Sequence, residues 1–341
     1  MAFKVVNTLG LPDKNQGEEL LTSSGFTYIR GLWQTEDEFI VNGRDADAIL
    51  GDISRKPFTR RVLEELTRCR IVAGIGLGYE SVDLEAATEK GIVVTNVPDY
   101  CLDEVSGRAI ALILALAYKV VQANQAVKED QVAMVGNPAA MLKVIQPVFR
   151  VRGQTLGLIG CSKIGTVTSI KAKGLGMNVI AYDPYVFGGT LESLGIKQVD
   201  MDTLLMESDF VSVHVPLTTE TKNLLGYEQF KRMKPTAYVI NTARGAVIDE
   251  PALIRALQEG LIAGAGLDVT VKEPVDKENP LILMPNVILT GHSAWYSSAA
   301  EAELFFIKPI SQVILALEGR WPPYAVNLEV KKKWLEMWSK K

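Results

Sequence analysis

Thr155–Gly165, which reads TLGLIGCSKIG, joins a short apolar run to a glycine-rich turn. The apolar half has the length and composition of a buried strand in a parallel sheet. Gly160 permits a tight turn directly after that strand, and Gly165 permits a helix to pack closely against it. The segment therefore predicts the strand, turn and helix that open a doubly wound α/β domain.

The same turn has the features of a dinucleotide-binding site. A helix that begins here presents unpaired N–H groups and the positive end of its dipole to a pyrophosphate. Ser162 replaces the second glycine of the usual fingerprint, and its side chain crowds the closest approach of the backbone to the pyrophosphate. The predicted cofactor contacts in this turn are Gly160, Ser162, Lys163, Ile164 and Gly165.

Asp183 predicts which dinucleotide binds. It ends the next apolar run, 18 residues after Gly165, where a carboxylate can accept hydrogen bonds from the adenosine ribose and would repel a 2′-phosphate. The residues from Pro184 to Phe187 contain no arginine. The expected cofactor is therefore NAD rather than NADP, although an aspartate before proline can also simply cap a loop.

Short apolar runs recur along the chain and alternate with stretches of helical periodicity, which is typical of parallel α/β sheets. A first series predicts strands at Phe3–Asn7, Phe26–Ile29, Ala48–Leu50, Ile71–Ala73 and Ile92–Thr95. A second series predicts six strands, at Thr155–Ile159, Val179–Tyr182, Val211–Val213, Tyr238–Asn241, Gly266–Val269 and Val287–Thr290. Two long helices are predicted, over residues 103–126 and 298–317.

The predicted fold class is α/β, with two Rossmann-like, doubly wound parallel-sheet domains. Residues 1–102 and 297–330 would form a flavodoxin-like substrate domain, and residues 103–296 would form the dinucleotide-binding domain. Residues 331–341 are expected to form a C-terminal tail. We expect the catalytic cleft between the two domains.

Composition and charge exclude several classes of function. The 341 residues include 36 basic and 40 acidic residues that are interleaved, so no basic stripe is available for nucleic acid. Cys69, Cys101 and Cys161 lack metal-ligand or redox-pair spacing, which predicts no metal site and suits a reducing compartment. The sequence shows no signal-peptide pattern and no run of transmembrane length, so we expect a cytoplasmic protein without a membrane partner. Lys331–Lys333 predicts a solvated or partner-docking helix.

Further motifs carry a resemblance to a known family. His214–Thr221 reads HVPLTTET, Asn241–Asp249 reads NTARGAVID, Gly266–Val269 reads GLDV and leads to Glu273, and His292 follows. Together with the glycine turn, they resemble the D-isomer-specific 2-hydroxyacid dehydrogenases over residues from about 48 to about 328. The resemblance implies hydride transfer between NAD and a small 2-oxo or 2-hydroxy carboxylic acid. A homodimer is the expected assembly.

The resemblance places the chemistry on Arg244, Glu273 and His292. Hydride reduction of a ketone leaves an alkoxide that needs a proton, and histidine titrates near neutrality, so His292 is the expected acid/base. Glu273 would fix the imidazole tautomer and favour its protonated form. Arg244 offers a planar fork to a carboxylate and can polarise the adjacent carbonyl. Each residue alone could be an ordinary packed or surface residue, and it is their joint placement at strand ends that indicates catalysis.

The resemblance also implies further contacts. Asp268 would accept from the nicotinamide carboxamide, although an aspartate at a strand end can also cap the next loop. The N–H groups of Leu77 and Gly78 would bind the substrate carboxylate, unless this segment is only a glycine turn. Trp295 would form a wall of the substrate pocket, or pack between domains. The remaining expected cofactor contacts are His214, Val215, Pro216, Thr221, Thr242, Ala243, Arg244 and His292, of which Arg244 and His292 would also contact the substrate.

His292–Ser297 and Tyr182–Tyr185 resemble the branch that contains the C-terminal binding proteins, which are NAD-binding transcriptional corepressors. A corepressor-like binding module with incidental turnover is therefore the alternative to an enzyme, and a third reading keeps the fold with formate or phosphite as donor. Three positions depart from the family pattern. They are Ser162, Gly291 in place of a usual proline, and Gly107 in place of a usual acidic residue. We expect such departures to loosen the geometry of the site.

Overall fold

The structure is a computed structural model that describes residues 2–9 and 16–339. The described residues form two compact units. One unit contains the chain up to Tyr100 together with the chain from Ser297 onward, and the other contains Cys101–Tyr296. Each unit is built on one parallel sheet, which confirms the predicted α/β fold class with two parallel sheets.

The first unit contains a five-stranded sheet with the strand order β2-β1-β3-β4-β5. This is the flavodoxin-like order. All five strands lie where apolar runs predicted them, and the central ones are fully buried because the sheet is covered on both faces. The strands are β1 Lys4–Asn7, β2 Thr27–Arg30, β3 Ala48–Gly51, β4 Ile71–Gly74 and β5 Val93–Thr95.

The second unit contains a seven-stranded sheet with the order β12-β11-β10-β9-β6-β7-β8. The prediction of six strands was short by one, because β8 consists of only two exposed polar residues at the edge of the sheet. β11 begins two residues earlier than predicted, which makes Asp268 the first residue after that strand. The strands are β6 Thr155–Ile159, β7 Asn178–Tyr182, β8 Lys197–Gln198, β9 Phe210–Val213, β10 Tyr238–Asn241, β11 Gly264–Leu267 and β12 Val287–Leu289.

Helices connect the strands of both sheets. In chain order they are α1 Gln16–Ser23, α2 Glu36–Gly43, α3 Arg60–Glu65, α4 Leu84–Lys90, α5 Leu102–Ala117, α6 Val120–Asp130, α7 Pro138–Ile145, α8 Lys163–Gly174, α9 Gly188–Ser193, α10 Met201–Glu207, α11 Tyr227–Phe230, α12 Glu250–Gln258, α13 Ser298–Ala302, α14 Lys308–Leu317 and α15 Lys331–Trp338. Short 3₁₀ turns occur at Gly245–Val247, Pro280–Ile282 and Leu328–Val330, and a π-helical turn occurs at Glu303–Ile307.

Both long helices predicted from the sequence are interrupted. The first is divided into α5 and α6 at Lys119, whose backbone is left-handed with φ of 53°. The second is divided by the π-helical turn that precedes α14. Pro309 explains this turn, because proline lacks an N–H and its ring displaces the carbonyl of the residue four positions earlier.

The C-terminal helix also differs from its prediction. Trp334 on α15 is 0% exposed and packs into the core of the first unit, so this helix is not simply solvated. Its indole N–H donates to the carbonyl of Arg70 at 2.8 Å. Lys331–Lys333 therefore lie on a helix that is anchored by an adjacent aromatic residue.

No single helix in the described part of the chain is long and apolar enough to cross a membrane. Only α5 and α6 taken together meet that criterion, and they are bent by 57° relative to each other.

The strand order of the second unit determines where a ligand can bind. β7 and β9 lie on opposite sides of β6, so the order reverses at this point and leaves a crevice at the carboxyl edge of the sheet. The loops that follow β6, β7 and β9 border this crevice. They begin at Gly160, Asp183 and His214, which are three of the predicted cofactor contacts.

Candidate active site

Two glycines of the turn after β6 are required by close backbone contacts. Gly160 has φ of 87°, and a Cβ atom on it would lie 2.7 Å from the carbonyl oxygen of His214. A Cβ atom on Gly165 would lie 2.4 Å from the carbonyl oxygen of Gly160. The turn therefore packs closely against the loop after β9 at Gly160, and α8 packs tightly against the turn at Gly165.

Ser162 fits the turn without needing to be glycine, since its φ is −82°. It is the N-cap of α8, and its hydroxyl makes no capping hydrogen bond to the helix. Lys163, which is exposed, and Ile164, which is half-buried, begin the helix. The N-terminus of this 12-residue helix is therefore suited to bind a pyrophosphate, and the Ser162 hydroxyl is available to donate to it.

Asp183 is buried at the end of β7 and holds two loops. One carboxylate oxygen accepts from the N–H of Cys161 at 2.8 Å, and the other accepts from the N–H groups of Tyr185 at 3.0 Å and Val186 at 3.2 Å. The loop-capping role considered from the sequence is thus present. It does not exclude a ribose contact, because an ionised carboxylate can accept about four hydrogen bonds.

His214 follows β9 and faces the glycine turn. Its backbone N–H donates to the carbonyl of Ile159 at 2.8 Å, and its ring nitrogen Nε2 lies 2.9 Å from the hydroxyl of Ser212. The residue as a whole is partly exposed, but its ring is surrounded by protein. This burial lowers the pKa of His214 to about 4. His214 is therefore neutral at about pH 7 and is unsuited to donate a proton at that pH.

The loop that continues from His214 is stabilised by its own side chains. The hydroxyl of Thr221 donates to the carbonyl of Pro216 at 2.6 Å, and the N–H of Thr218 donates to the same hydroxyl at 2.8 Å. Val215 is half-buried, and its side chain contacts the turn at Gly160. Thr221 thus shapes the loop, a role that the sequence reasoning did not assign to it.

The loop after β10 presents Arg244 and is organised by Asn241, which sequence reasoning did not single out. The Asn241 amide donates to the carbonyl of Arg244 at 2.9 Å and accepts from the N–H of Ala243 at 2.9 Å. An asparagine at the end of an apolar strand is the signal that could have identified this turn. The hydroxyl of Thr242 is buried and has no hydrogen-bond partner in the described part of the chain, which suits a contact to a bound cofactor.

Arg244 lies close to the segment that carries Glu273. Its guanidinium donates to the carbonyl of Ala243 at 2.9 Å. At the next residue, a Cβ atom on Gly245 would lie 2.1 Å from the backbone of Thr270, so the two loops touch. The N–H of Thr270 in turn donates to the Glu273 carboxylate at 3.4 Å.

His292 and Glu273 form a direct pair. Nδ1 of His292 lies 2.7 Å from Oε2 of Glu273, and about a third of each side chain is exposed. A carboxylate at Nδ1 favours a proton on that nitrogen and leaves Nε2 to face a reactant. The predicted pairing of an acid/base with an orienting carboxylate is therefore present as geometry.

Asp268 holds the loop that carries His292. Its carboxylate is 2% exposed and accepts from the N–H groups of Ser293 at 3.1 Å and Ala294 at 2.9 Å, and from the hydroxyl of Thr290. The backbone N–H of His292 donates to the backbone carbonyl of Asp268. These contacts match the loop-capping alternative, and the carboxamide contact stays a prediction.

Gly291 and His292 both have left-handed backbones, with φ of 63° and 57°. Proline fixes φ near −65°, so this loop conformation excludes the proline that is usual at position 291. A left-handed conformation at a residue other than glycine costs about 1 kcal/mol and is often found at functional sites. The departure at Gly291 thus goes with a distinct loop conformation that is hydrogen-bonded to Asp268.

The other three predicted substrate contacts are divided between the two units. Leu77 and Gly78 belong to the first unit, in the loop after β4, where the carbonyl of Leu77 accepts from Asn96 at 2.9 Å. In the described part of the chain, their N–H groups have no acceptor, which suits binding of an anion. Trp295 belongs to the second unit, is half-buried and packs edge-to-face on Tyr296.

Gly107 on α5 lies beside α8. A Cβ atom on it would lie 3.4 Å from Nζ of Lys171. Lys171 instead pairs with Asp103, one turn earlier on α5, at 2.8 Å. The helix contact that an acidic residue at position 107 would make is thus supplied by Asp103.

The sequence of the second unit matches a family profile described as "D-isomer specific 2-hydroxyacid dehydrogenase, NAD binding domain", over residues 110–294. A glyoxylate reductase of Korarchaeum cryptofilum is 40% identical over 307 residues, which cover 88% of this chain and 90% of that protein. The chain belongs to the D-isomer specific 2-hydroxyacid dehydrogenase family. It is an oxidoreductase with an NAD-binding domain, which confirms the predicted enzyme class and cofactor.

Other similar proteins agree with this assignment. A D-3-phosphoglycerate dehydrogenase of Archaeoglobus fulgidus is 41% identical over 271 residues, which cover 78% of this dehydrogenase and 49% of that protein. A crystal structure of a glyoxylate reductase from Paecilomyes thermophila superposes with a TM-score of 0.84 at 26% identity and covers 95% of this chain and 98% of that one. These relatives bear reductase and dehydrogenase names, so the expected relation to the corepressor branch gains no support from them.

Proposed function

We propose that this dehydrogenase reduces a small 2-oxo acid to the D-2-hydroxy acid with NADH, and that glyoxylate is the first substrate to test. Two of the relatives described above are glyoxylate reductases. The observation that carries the catalytic part of the proposal is the 2.7 Å contact between His292 Nδ1 and Glu273 Oε2. It is reinforced by the enclosure of His214, which leaves one histidine suited to proton transfer near neutrality.

The proposed chemistry divides between cofactor and protein. When it is bound, the reduced nicotinamide supplies the hydride to the carbonyl carbon. His292 donates a proton from Nε2 to the carbonyl oxygen, and Glu273 holds the imidazole and compensates its positive charge. Arg244 binds the substrate carboxylate and polarises the carbonyl. In the oxidative direction His292 accepts the proton instead.

We also propose how the substrate is recognised. The N–H groups of Leu77 and Gly78 would bind the carboxylate, as two adjacent donors on a loop can bind an anion. Trp295 would bound the space for the substrate side chain. A small substrate such as glyoxylate does not need that space, so comparing glyoxylate with larger 2-oxo acids tests the role of Trp295.

The cofactor is proposed to bind along the loops that border the crevice. The turn from Gly160 to Gly165 would hold the pyrophosphate, Asp183 the ribose, and the loop from His214 to Thr221 the adenosine side. Thr242, Ala243 and Asp268 would lie towards the nicotinamide. The close backbone approach at Gly160 and the unpartnered buried hydroxyl of Thr242 support this placement.

Cofactor choice gives a direct test of Asp183. Asp183→Ala should weaken NADH binding and narrow its advantage over NADPH, since the carboxylate would no longer accept from the ribose or repel a 2′-phosphate. Fluorescence titration with both reduced cofactors measures the ratio of their Kd values. Asp200→Ala, which removes the exposed N-cap aspartate of α10, is the matched control. An unchanged ratio in Asp183→Ala would contradict the assignment.

The substrate proposal is tested by screening 2-oxo acids with NADH and following the loss of NADH absorbance. Glyoxylate should be turned over, and the rate should saturate with its concentration. Pyruvate and longer 2-oxo acids provide the comparison that defines the side-chain space. If no 2-oxo acid is reduced although NADH binds, the proposed activity is wrong, and the result would favour the alternative of a corepressor-like binding module.

A further inference from the structure

Two exposed side chains connect loops on either side of the glycine turn. The hydroxyl of Tyr185, on the loop after β7, donates to the carboxylate of Glu220, on the loop after β9. β7 and β9 lie on opposite sides of β6 in the sheet. The Tyr185–Glu220 bond therefore spans the loop that begins at Gly160, at the position where the strand order reverses.

Both ends of this bond are anchored. The N–H of Tyr185 donates to the Asp183 carboxylate at 3.0 Å, and Asp183 also accepts from Cys161 in the glycine turn. Glu220 lies between Thr218 and Thr221, whose hydroxyls form hydrogen bonds within that loop. The backbone under each side chain is thus held in place, whereas the two side chains meet in solvent.

The Tyr185 side chain itself has little packing. It is 79% exposed, so the hydrogen bond to Glu220 is the main contact that fixes its position. That bond also raises the pKa of the Tyr185 hydroxyl, because the carboxylate stabilises the protonated phenol. Rotation of the Tyr185 side chain would break the bond to Glu220 without moving the backbone.

A cofactor that binds in the proposed position would have to pass the Tyr185–Glu220 bond. Its ribose at Asp183 and its pyrophosphate at the glycine turn place the adenosine between the loops after β7 and β9. We propose that Tyr185 and Glu220 form a gate over the adenosine half of the cofactor, which slows both its entry and its release. This inference rests on the proposed cofactor placement and concerns binding rates rather than hydride transfer.

Stopped-flow fluorescence with NADH tests the gate in the full-length protein. Tyr185→Phe keeps the ring and removes the hydroxyl, and Glu220→Gln keeps the size and removes the charge. Both variants should increase the association and dissociation rate constants by about three- to ten-fold, the range that the loss of one hydrogen bond produces. Because both rate constants rise together, Kd should change by less than about two-fold.

Phe187→Leu is the matched control, since Phe187 is similarly exposed on the same loop and has no hydroxyl. Its rate constants should match those of the parent. An unchanged association rate in Tyr185→Phe would overturn the gate, and so would a weaker Kd in Glu220→Gln with an unaltered association rate, which indicates a direct contact with adenine. Either result would leave the proposed reductase activity standing, whereas failure of the parent protein to bind NADH would overturn both.

Discussion

The two histidines of this dehydrogenase lie at the carboxyl edge of the same sheet and are held in opposite ways. His214 follows the central strand β9, contacts the hydroxyl of Ser212 and is desolvated, which lowers its pKa to about 4. His292 follows the edge strand β12, pairs with Glu273 at 2.7 Å and keeps about a third of its side chain in solvent. One ring is thus held neutral by burial, and the other is held at Nδ1 by a carboxylate.

The difference shows that the surroundings of each ring, and not the residue type, distinguish the two histidines. A hydroxyl partner adds no charge, so desolvation determines the state of His214. A carboxylate partner holds the His292 ring through Nδ1 and leaves Nε2 to face a reactant. The backbone differs too, because His292 has a left-handed conformation that contacts of the buried Asp268 support.

The largest expected effect is that of His292→Ala. Loss of a general acid typically lowers turnover by about 10²–10⁴-fold, and NADH affinity should change little because the imidazole acts in the transition state. Steady-state kinetics with glyoxylate and fluorescence titration with NADH separate the two quantities. His214→Gln is the comparison, and it should affect NADH affinity more than turnover at saturating cofactor. If His214→Gln is the variant that loses turnover, the roles of the two histidines are reversed.

A second prediction concerns the backbone of the His292 loop. Gly291→Pro cannot adopt φ of 63°, so we expect it to lower kcat by about 10–100-fold while NADH binding persists. Gly291→Ala retains the loop at a cost of about 1 kcal/mol and should lower kcat by only a few-fold.

Gly136→Ala is the matched control for this loop. Gly136 also has a positive φ, of 98°, and neither glycine has an atom within 4 Å of an added Cβ. Both alanine variants should therefore lower Tm by similar amounts, and only Gly291→Ala should lower kcat. Equal kcat values in the Gly291 variants and the parent would show that the loop conformation has no part in catalysis.

Much of the fold follows from local patterns in the sequence. All eleven predicted strands are present because buried parallel strands require continuous apolar runs, which are easily recognised. β8 could not be predicted in this way, since Lys197 and Gln198 are polar and its pairing depends on β7. The break at Lys119 also lacks a signal, because neither glycine nor proline accompanies it.

Sequence motifs predict which residues form the candidate site, but they do not specify the contacts among these residues. Glu273 and His292 are 19 positions apart, and only the order of parallel strands brings them together. The hydrogen bonds that Asp268 makes to Ser293 and Ala294 depend on the left-handed turn at Gly291, which no propensity specifies. The Tyr185–Glu220 bond joins exposed side chains of two loops, and no sequence pattern indicates it.

A third prediction changes the partner of His292 and not the histidine itself. Glu273→Gln keeps the size of the side chain and an acceptor for Nδ1 but loses the charge-assisted hydrogen bond, so the ring should be held less firmly. Since the ring has to present Nε2 to the substrate, kcat for glyoxylate should fall by about 10-fold, whereas NADH affinity should change little. Steady-state kinetics and fluorescence titration with NADH measure these two quantities. Glu278→Gln, at an acidic residue outside the pair, should leave both unchanged. An unchanged kcat in Glu273→Gln would contradict the orienting role of Glu273.

The smallest expected effect concerns His214 and the stability of the fold in acid. Its pKa is about 4 in the folded protein and 6.5 in an unperturbed chain, so between these values the unfolded chain takes up a proton that the folded chain does not. The stability that neutral His214 contributes is therefore fully present above the higher value and is lost as the pH falls towards the lower one. His214→Gln removes this proton uptake, and the fall in Tm from about pH 7 to about pH 5 should be smaller in the variant than in the parent. Other groups titrate in both proteins, so the difference between the two slopes isolates His214. Equal slopes would show that His214 is not held neutral by its surroundings, and the contrast between the two histidines would then have to rest on Glu273 alone.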